Sequence, residues 1–161
     1  MYCCYHRALM PRAVITGSSS GIGLTLAREL AKRGYSLALL ARRTELLEDL
    51  ANELRARGTQ AVALACDVTD LAQVRDAVRR GEQELGGPFD LAVANAGVSI
   101  PGHATKFDVA ETEEVMRVNY FGMIYFFDAV IPSMVRRGTE RRSVGGYPRR
   151  DRSHRGSDGG P

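Results

Sequence analysis

The chain has 161 residues, 44% hydrophobic and 25% charged, which is the range of one ordinary globular domain able to bury a sizeable core. Its formal net charge is +3, but the excess gathers in an arginine cluster near the C-terminal end, so overall charge does not point to a nucleic-acid partner. Cys3, Cys4 and Cys66 are odd in number and lack metal-ligand spacing, which excludes a disulfide framework and a cysteine metal site and fits a reducing cytoplasm.

Residues 1–10 hold no periodic pattern and no continuous apolar core, so they read as a disordered extension, neither a secretory signal nor a membrane span. Met10-Pro11-Arg12 leads straight into the first apolar run, and both Met1 and Met10 stand as candidate starts. Arg12 to Thr16 reads as a buried parallel strand. Gly21 to Arg33 follows as a helix with Ile22, Leu26, Leu30 and Ala31 on one face and Gly34 at its C-terminal cap. Ser36 to Ala41 is a second apolar strand, and Thr44 to Arg57 a second helix carrying Leu46, Leu47, Leu50 and Leu54.

Gln60 to Ala65 predicts a third strand. Asp70 then caps a helix through Leu85 that turns Leu71, Val74, Ala77 and Val78 inward, ended by Gly86-Gly87-Pro88. Phe89 to Ala94 is a fourth strand. The stretch from about Glu111 to Arg137 is a long helix in which Val115, Val118, Phe121, Ile124 and Tyr125 recur near the helical period. This alternation predicts an α/β fold: a Rossmann-like, doubly wound parallel sheet over residues 11–137, incomplete at four strands in the order 3-2-1-4, with a nucleotide at the switch point between strands one and four.

The first strand runs into Thr16-Gly17-Ser18-Ser19-Ser20-Gly21-Ile22-Gly23 at the start of the first helix. Gly17 permits a sharp turn out of the strand, and Gly21 and Gly23 remove Cβ atoms that would hold a pyrophosphate or a neighbouring strand at a distance. The free N–H groups at the helix start point at an anion, and Ser18, Ser19 and Ser20 add hydroxyl donors.

This Thr-Gly-x-x-x-Gly-Ile-Gly loop resembles the cofactor loop of the short-chain dehydrogenase/reductase family, and further motifs fall in that family's order. Where an acidic side chain at the end of strand two would accept from an adenosine ribose hydroxyl, this chain has Ala41 followed by Arg42 and Arg43. Arg42 is suited to a 2′-phosphate, so the cofactor expected is NADP, with NAD possible; solvated helix-start arginines are the alternative reading. Asp67-Val68 resembles the family's adenine contact, although Asp67 reads equally as a turn residue. Asn95-Ala96-Gly97 resembles the turn lying under the cofactor. Asn119 resembles the catalytic asparagine that holds a water in a proton relay, and the resemblance implies self-association through the long helix, residues 111–137.

The family's proton-transferring tyrosine, the lysine four residues after it and an upstream serine have no match in this sequence. Lys32 and Lys106 are its only lysines, Tyr147 is followed four residues on by Asp151, and Ser143 stands too close to Tyr147. The expectation is an NADP(H)-dependent oxidoreductase lineage acting on a carbonyl or alcohol, inactive in this form, with a non-catalytic dinucleotide-binding module as the alternative. Residues 138–161, rich in arginine, glycine and serine, are expected to be a disordered or frame-shifted tail and not a nucleic-acid arm. The frame change would fall between about Val135 and Ser143.

Overall fold

The four strands are short and strongly apolar, and β1 (Arg12–Thr16) and β2 (Ser36–Ala41) are buried at every position. A strand buried on both faces must lie inside a sheet covered by helices on both sides. The computed structural model, which describes residues 10–99 and 107–137, has that arrangement. Its other elements are α1 (Gly21–Lys32), α2 (Thr44–Ala56), β3 (Ala61–Ala65), α3 (Leu71–Glu84) and β4 (Leu91–Val93), then a long helix made of α4 (Val109–Met116), a π-helical turn (Arg117–Phe121) and α5 (Gly122–Arg136). The expectations for residues 1–9 and 138–161, including Ser143 and Tyr147, fall outside the described residues.

The sheet is parallel and ordered β3-β2-β1-β4, as expected. β1 is central: Val14 stands beside Ala38 of β2 and Ala92 of β4. Chain direction across the sheet reverses between β1 and β4, and the loops after these strands open the crevice where α/β sheets bind ligands. One face packs Ala27, Leu30, Leu47, Leu50 and Leu54 of α1 and α2 against Ile15, Leu37 and Leu39. The other packs Val74 and Val78 of α3 and Phe126, Val130 and Met134 of α5 against Val14, Leu40 and Leu64.

Some residues face differently from the sequence expectation. Ile22 is 79% exposed, and the buried face of α1 is Gly23, Ala27 and Leu30. Leu46 is exposed, and Leu47, Leu50, Ala51 and Leu54 form the buried stripe of α2. In the long helix, Phe121 and Ile124 are exposed, while Val118, Gly122, Phe126, Val130, Ser133 and Met134 face inward. The helix is apolar around most of its circumference, so periodicity did not select the packed side. Its stretch Val109–Arg136 is long and apolar enough to cross a membrane, yet Phe126 and Val130 are wholly buried in the domain core.

The opposite end of the sheet is fixed by charge. Asp90 Oδ2 accepts from the Arg12 backbone N–H at 2.9 Å and lies 3.2 Å from Arg137 Nη1. Arg137 also donates to the Pro88 carbonyl at 2.7 Å. Buried Arg12 is satisfied by carbonyls, its Nε donating to Leu85 at 2.7 Å and its Nη2 to Gly86 at 3.1 Å. The Arg12 bonds compensate its removal from water, and those of Arg137 tie the end of α5 to the start of β4.

Candidate functional site

At the C-terminal ends of β1 and β4 lies a cleft of about 480 Å³, lined by the glycine-rich loop, the ends of β2 and β3, and residues 95–98. Gly17 leaves β1 with φ +68°, and an added Cβ would lie 2.7 Å from the Ala96 backbone, so both its conformation and its surroundings demand glycine. A Cβ on Gly23 would run into the Gly17 carbonyl and the Asn95 amide, which makes Gly23 a packing glycine. Gly21 differs, since its φ is +58° while the space around its Cβ position is open. The loop is therefore drawn against the segment after β4 at Gly17 and Gly23 and left open at the helix start.

Ser20 is the N-terminal cap residue of α1, but its side chain makes no capping bond. Its Oγ accepts instead from Arg43 Nη2 at 2.6 Å, and Ser19 Oγ accepts from the same nitrogen at 3.0 Å. A hydroxyl that accepts from a guanidinium keeps its own proton to donate, so this contact orients Ser19 and Ser20 as donors. Ser18 is placed otherwise: it is fully buried, with its Oγ 3.5 Å from the Leu40 carbonyl, and serves the loop rather than the cleft. Arg42 is exposed and lines the cleft beside Ala41, at the end of β2.

On the far wall Asp67 forms a turn, its Oδ1 accepting from the Thr69 N–H and Oγ1, each at 2.9 Å. Asp67 N–H donates to Gln73 Oε1 at 3.1 Å, tying this segment to the first turn of α3. The turn-residue reading of Asp67 thus describes one oxygen, while the residue as a whole lines the cleft together with Val68. Cys66 lies between them and the sheet, and burial, with Asp67 and Asp70 nearby, pushes its thiol up to about 12, so it is a neutral wall group and not a nucleophile.

The floor is held by Thr16 and Asn95. Thr16 Oγ1 accepts from the N–H groups of Asn95 at 3.0 Å and Ala96 at 3.1 Å, and Asn95 Nδ2 donates back to the Thr16 and Gly17 carbonyls, each at 3.1 Å. Asn119 lies in the π-helical turn and clasps the backbone of Val98: its Oδ1 accepts from the Val98 N–H and its Nδ2 donates to the Val98 carbonyl, both at 2.8 Å. Single π-helical turns inside α-helices concentrate at functional sites, and this one carries the polar residue that reaches the cleft segment.

Of the residues singled out in the sequence, Gly17, Ser19, Ser20, Ile22, Arg42, Arg43, Asp67, Val68, Asn95, Ala96 and Gly97 line one cleft. Thr16, Ser18 and Gly23 shape its loop from behind, Gly21 stands open at the helix start, and Asn119 braces its rim. Ala41, Cys66, Val98 and Val118 also line it. Ala41 was read in the sequence as the position where an acid is missing, and the only signal for Cys66, Val98 and Val118 was adjacency to motif residues. Donors and two arginines gather at one wall and a carboxylate stands at the other, a set suited to a phosphorylated ligand with a hydrogen-bonding base. No His, Cys, Asp and Glu grouping among the described residues is arranged to hold a metal ion.

A parallel sheet with a glycine-rich strand-to-helix turn at its switch point defines a dinucleotide-binding domain of the Rossmann type. The sequence matches the short chain dehydrogenase family over residues 11–143, a span that runs past Arg137, and the chain belongs to that family. It is 40% identical over 126 residues to a glycine betaine reductase of Emericella nidulans, covering 78% of this chain and 10% of that protein. It is 35% identical over 127 residues to a gluconate 5-dehydrogenase of Gluconobacter oxydans, covering 79% of this chain and 49% of the relative. The crystal structure of a gluconate 5-dehydrogenase from Burkholderia cenocepacia in complex with NADP and tartrate superposes with a TM-score of 0.73 at 38% identity, covering 80% of this chain and 50% of the other. The chain thus spans about half the length, or less, of these relatives.

Proposed function

We propose that the chain is the dinucleotide-binding portion of an NADP(H)-dependent short-chain oxidoreductase, whose reaction moves a hydride between the nicotinamide and a carbonyl or alcohol carbon. The observation that carries the cofactor reading is the Arg43 contact to Ser19 and Ser20, with Arg42 beside it and no acid at the end of β2. A 2′-phosphate would meet two guanidinium groups and two hydroxyl donors there, whereas a ribose hydroxyl would find no carboxylate. The open Cβ position of Gly21 leaves room for a pyrophosphate at the start of α1.

The chain's own residues divide the work. Helix-start N–H groups with Ser19 and Ser20 bind phosphate oxygens, Val68 packs on the adenine ring, Asp67 accepts from its amino group, and Asn95-Ala96-Gly97 supports the inner ribose. Asn119 holds the Val98 segment at the rim of the cleft. A dehydrogenase tyrosine with its lysine four residues on does not occur in these 161 residues, so we assign binding without turnover to this chain. This feature favours a second reading, a non-catalytic dinucleotide-binding module. We further propose a cytoplasmic setting, consistent with the free Cys66 thiol.

Fluorescence titration with NADPH and NADH, followed by a carbonyl panel, tests the proposal. NADPH is expected to bind about tenfold or more tightly than NADH, in line with one charge-assisted contact, with no oxidation of bound NADPH. Failure to bind either nucleotide overturns the cofactor reading, and robust turnover overturns the assignment of binding alone.

A further inference from the structure

Gly122 is the first residue of α5, directly after the π-helical turn, and its neighbour across the interface is Val68. A Cβ at position 122 would lie 2.8 Å from Val68 Cγ2, 3.1 Å from Val68 Cβ and 3.4 Å from the Val68 carbonyl oxygen. Rotating the valine relieves only the first of these, because the Cβ and carbonyl belong to the backbone course of residues 67–69. That course cannot withdraw freely toward α3, since Asp67 N–H is bonded to Gln73 and Asp70 caps the helix through the N–H groups of Ala72 and Gln73. Val68 lines the cleft, and so does Val118, four residues before Gly122 on the same side of the long helix.

We infer that Gly122 is a positioning residue for the adenosine end of the cleft: its missing side chain lets the long helix seat Val68, and with it Asp67, at the cleft wall. The inference rests on the reading of this cleft as an adenine dinucleotide site. A methyl group at 122 displaces the wall residue itself, so its effect reaches a ligand that Gly122 does not touch. Gly81 provides the contrast. A Cβ there would lie 2.9 Å from Phe89 Cζ and 3.1 Å from Ala38 Cβ, equally tight, but those neighbours belong to the core and not to the cleft lining.

The test uses the 161-residue chain, calorimetric titration with adenosine 2′,5′-bisphosphate, which carries only the adenosine end, and thermal melts. Gly122→Ala is expected to weaken binding of this probe about tenfold or more, the scale of one misplaced methyl in a fitted pocket. Gly81→Ala is expected to lower the melting temperature with affinity unchanged. In the Val68→Gly background the 2.8 Å and 3.1 Å encounters are both gone and only ordinary contact with the carbonyl at 3.4 Å is left, so adding Gly122→Ala is expected to change affinity by less than about threefold. Should Gly122→Ala alone not fold, the comparison of Val68→Gly with the double variant decides. Wild-type chain that does not bind the probe overturns the dinucleotide reading. Wild-type binding with unaltered binding by Gly122→Ala overturns the positioning role, as does a double variant that binds much more weakly than Val68→Gly or does not fold, since the conflict would then lie elsewhere than at the Val68 side chain.

Discussion

The Arg43 guanidinium donates to Ser20 Oγ at 2.6 Å, joining the start of α2 to the glycine-rich loop across 23 positions of sequence. Arg42 is the residue that the end of β2 nominates for a phosphate, yet Arg43 is the one already tied to the loop hydroxyls. Arg42→Ala is expected to remove a direct charge-assisted contact worth about 1.5 to 3 kcal/mol, and with it most of the preference for NADPH over NADH. Arg43→Ala is expected to weaken both nucleotides, NADPH the more, because Ser19 and Ser20 lose their orientation as donors and the 2′-phosphate loses its second guanidinium. Equal affinity ratios before and after Arg42→Ala would show that the 2′-phosphate lies elsewhere.

Thr16→Val keeps shape and removes the oxygen that accepts from two backbone N–H groups, those of Asn95 and Ala96. Two partly buried donors left unpaired cost about 1–3 kcal/mol each at most, so urea unfolding is expected to show a loss of that order. An unchanged urea midpoint would mean that water replaces the hydroxyl at no cost.

Asn119→Ala deletes both bonds to Val98 while leaving the helix apolar and continuous. Hydrogen exchange at the Val98 amide is expected to accelerate, with little change at the amides of β1. A Val98 amide that stays equally protected would remove Asn119 from its bracing role.

Asp70 accepts from Gln73 and Ala72 backbone N–H groups at the start of α3, and the Gln73 bonds lead in holding its carboxyl below the ordinary range. A carboxyl lowered in the folded state contributes stability that is present above its unfolded pKa, roughly 4, and is lost as pH falls through the folded value. Wild-type chain is therefore expected to lose more stability than Asp70→Asn between pH 6 and 3, measured by melts across that window. Parallel loss in the two proteins would assign acid sensitivity to other groups.

Among the described residues β4 pairs only with β1, and Met116, Tyr120, Phe121, Ile124, Ile131 and Val135 leave an apolar surface on the long helix. An unpaired strand edge and an apolar patch both recruit further chains. Light scattering is expected to show concentration-dependent association, reduced by Ile124→Glu on the helix. A monodisperse monomer at high concentration would contradict this.

Strands and their order were legible because buried parallel strands read as short apolar runs between helical repeats, and Ala13-Val14-Ile15 before a glycine turn has few other meanings. The site was legible where motif residues sit at strand ends, as Gly17, Asp67 and Asn95 do. What escaped reading depends on contacts between distant residues. Nothing local distinguishes Ser18, turned to Leu40, from Ser19 and Ser20, held by Arg43. The π-helical turn that presents Asn119 has no sequence period of its own, and a helix apolar on several sides conceals which side the core takes, so Phe126 was buried where Phe121 was expected.

The brace between Asn95 and Thr16 spans 79 residues, and this separation sets an order of events during synthesis. A growing chain makes the phosphate-binding turn early and its support late, after β2, β3 and three helices have been completed. Closing so long a loop costs entropy that local helix contacts do not repay, so β4 is expected to join last. A nascent chain stopped before residue 95 would carry every glycine of the loop and still lack the clamp that gives it shape, and the seating of Val68 would come later still, with the long helix.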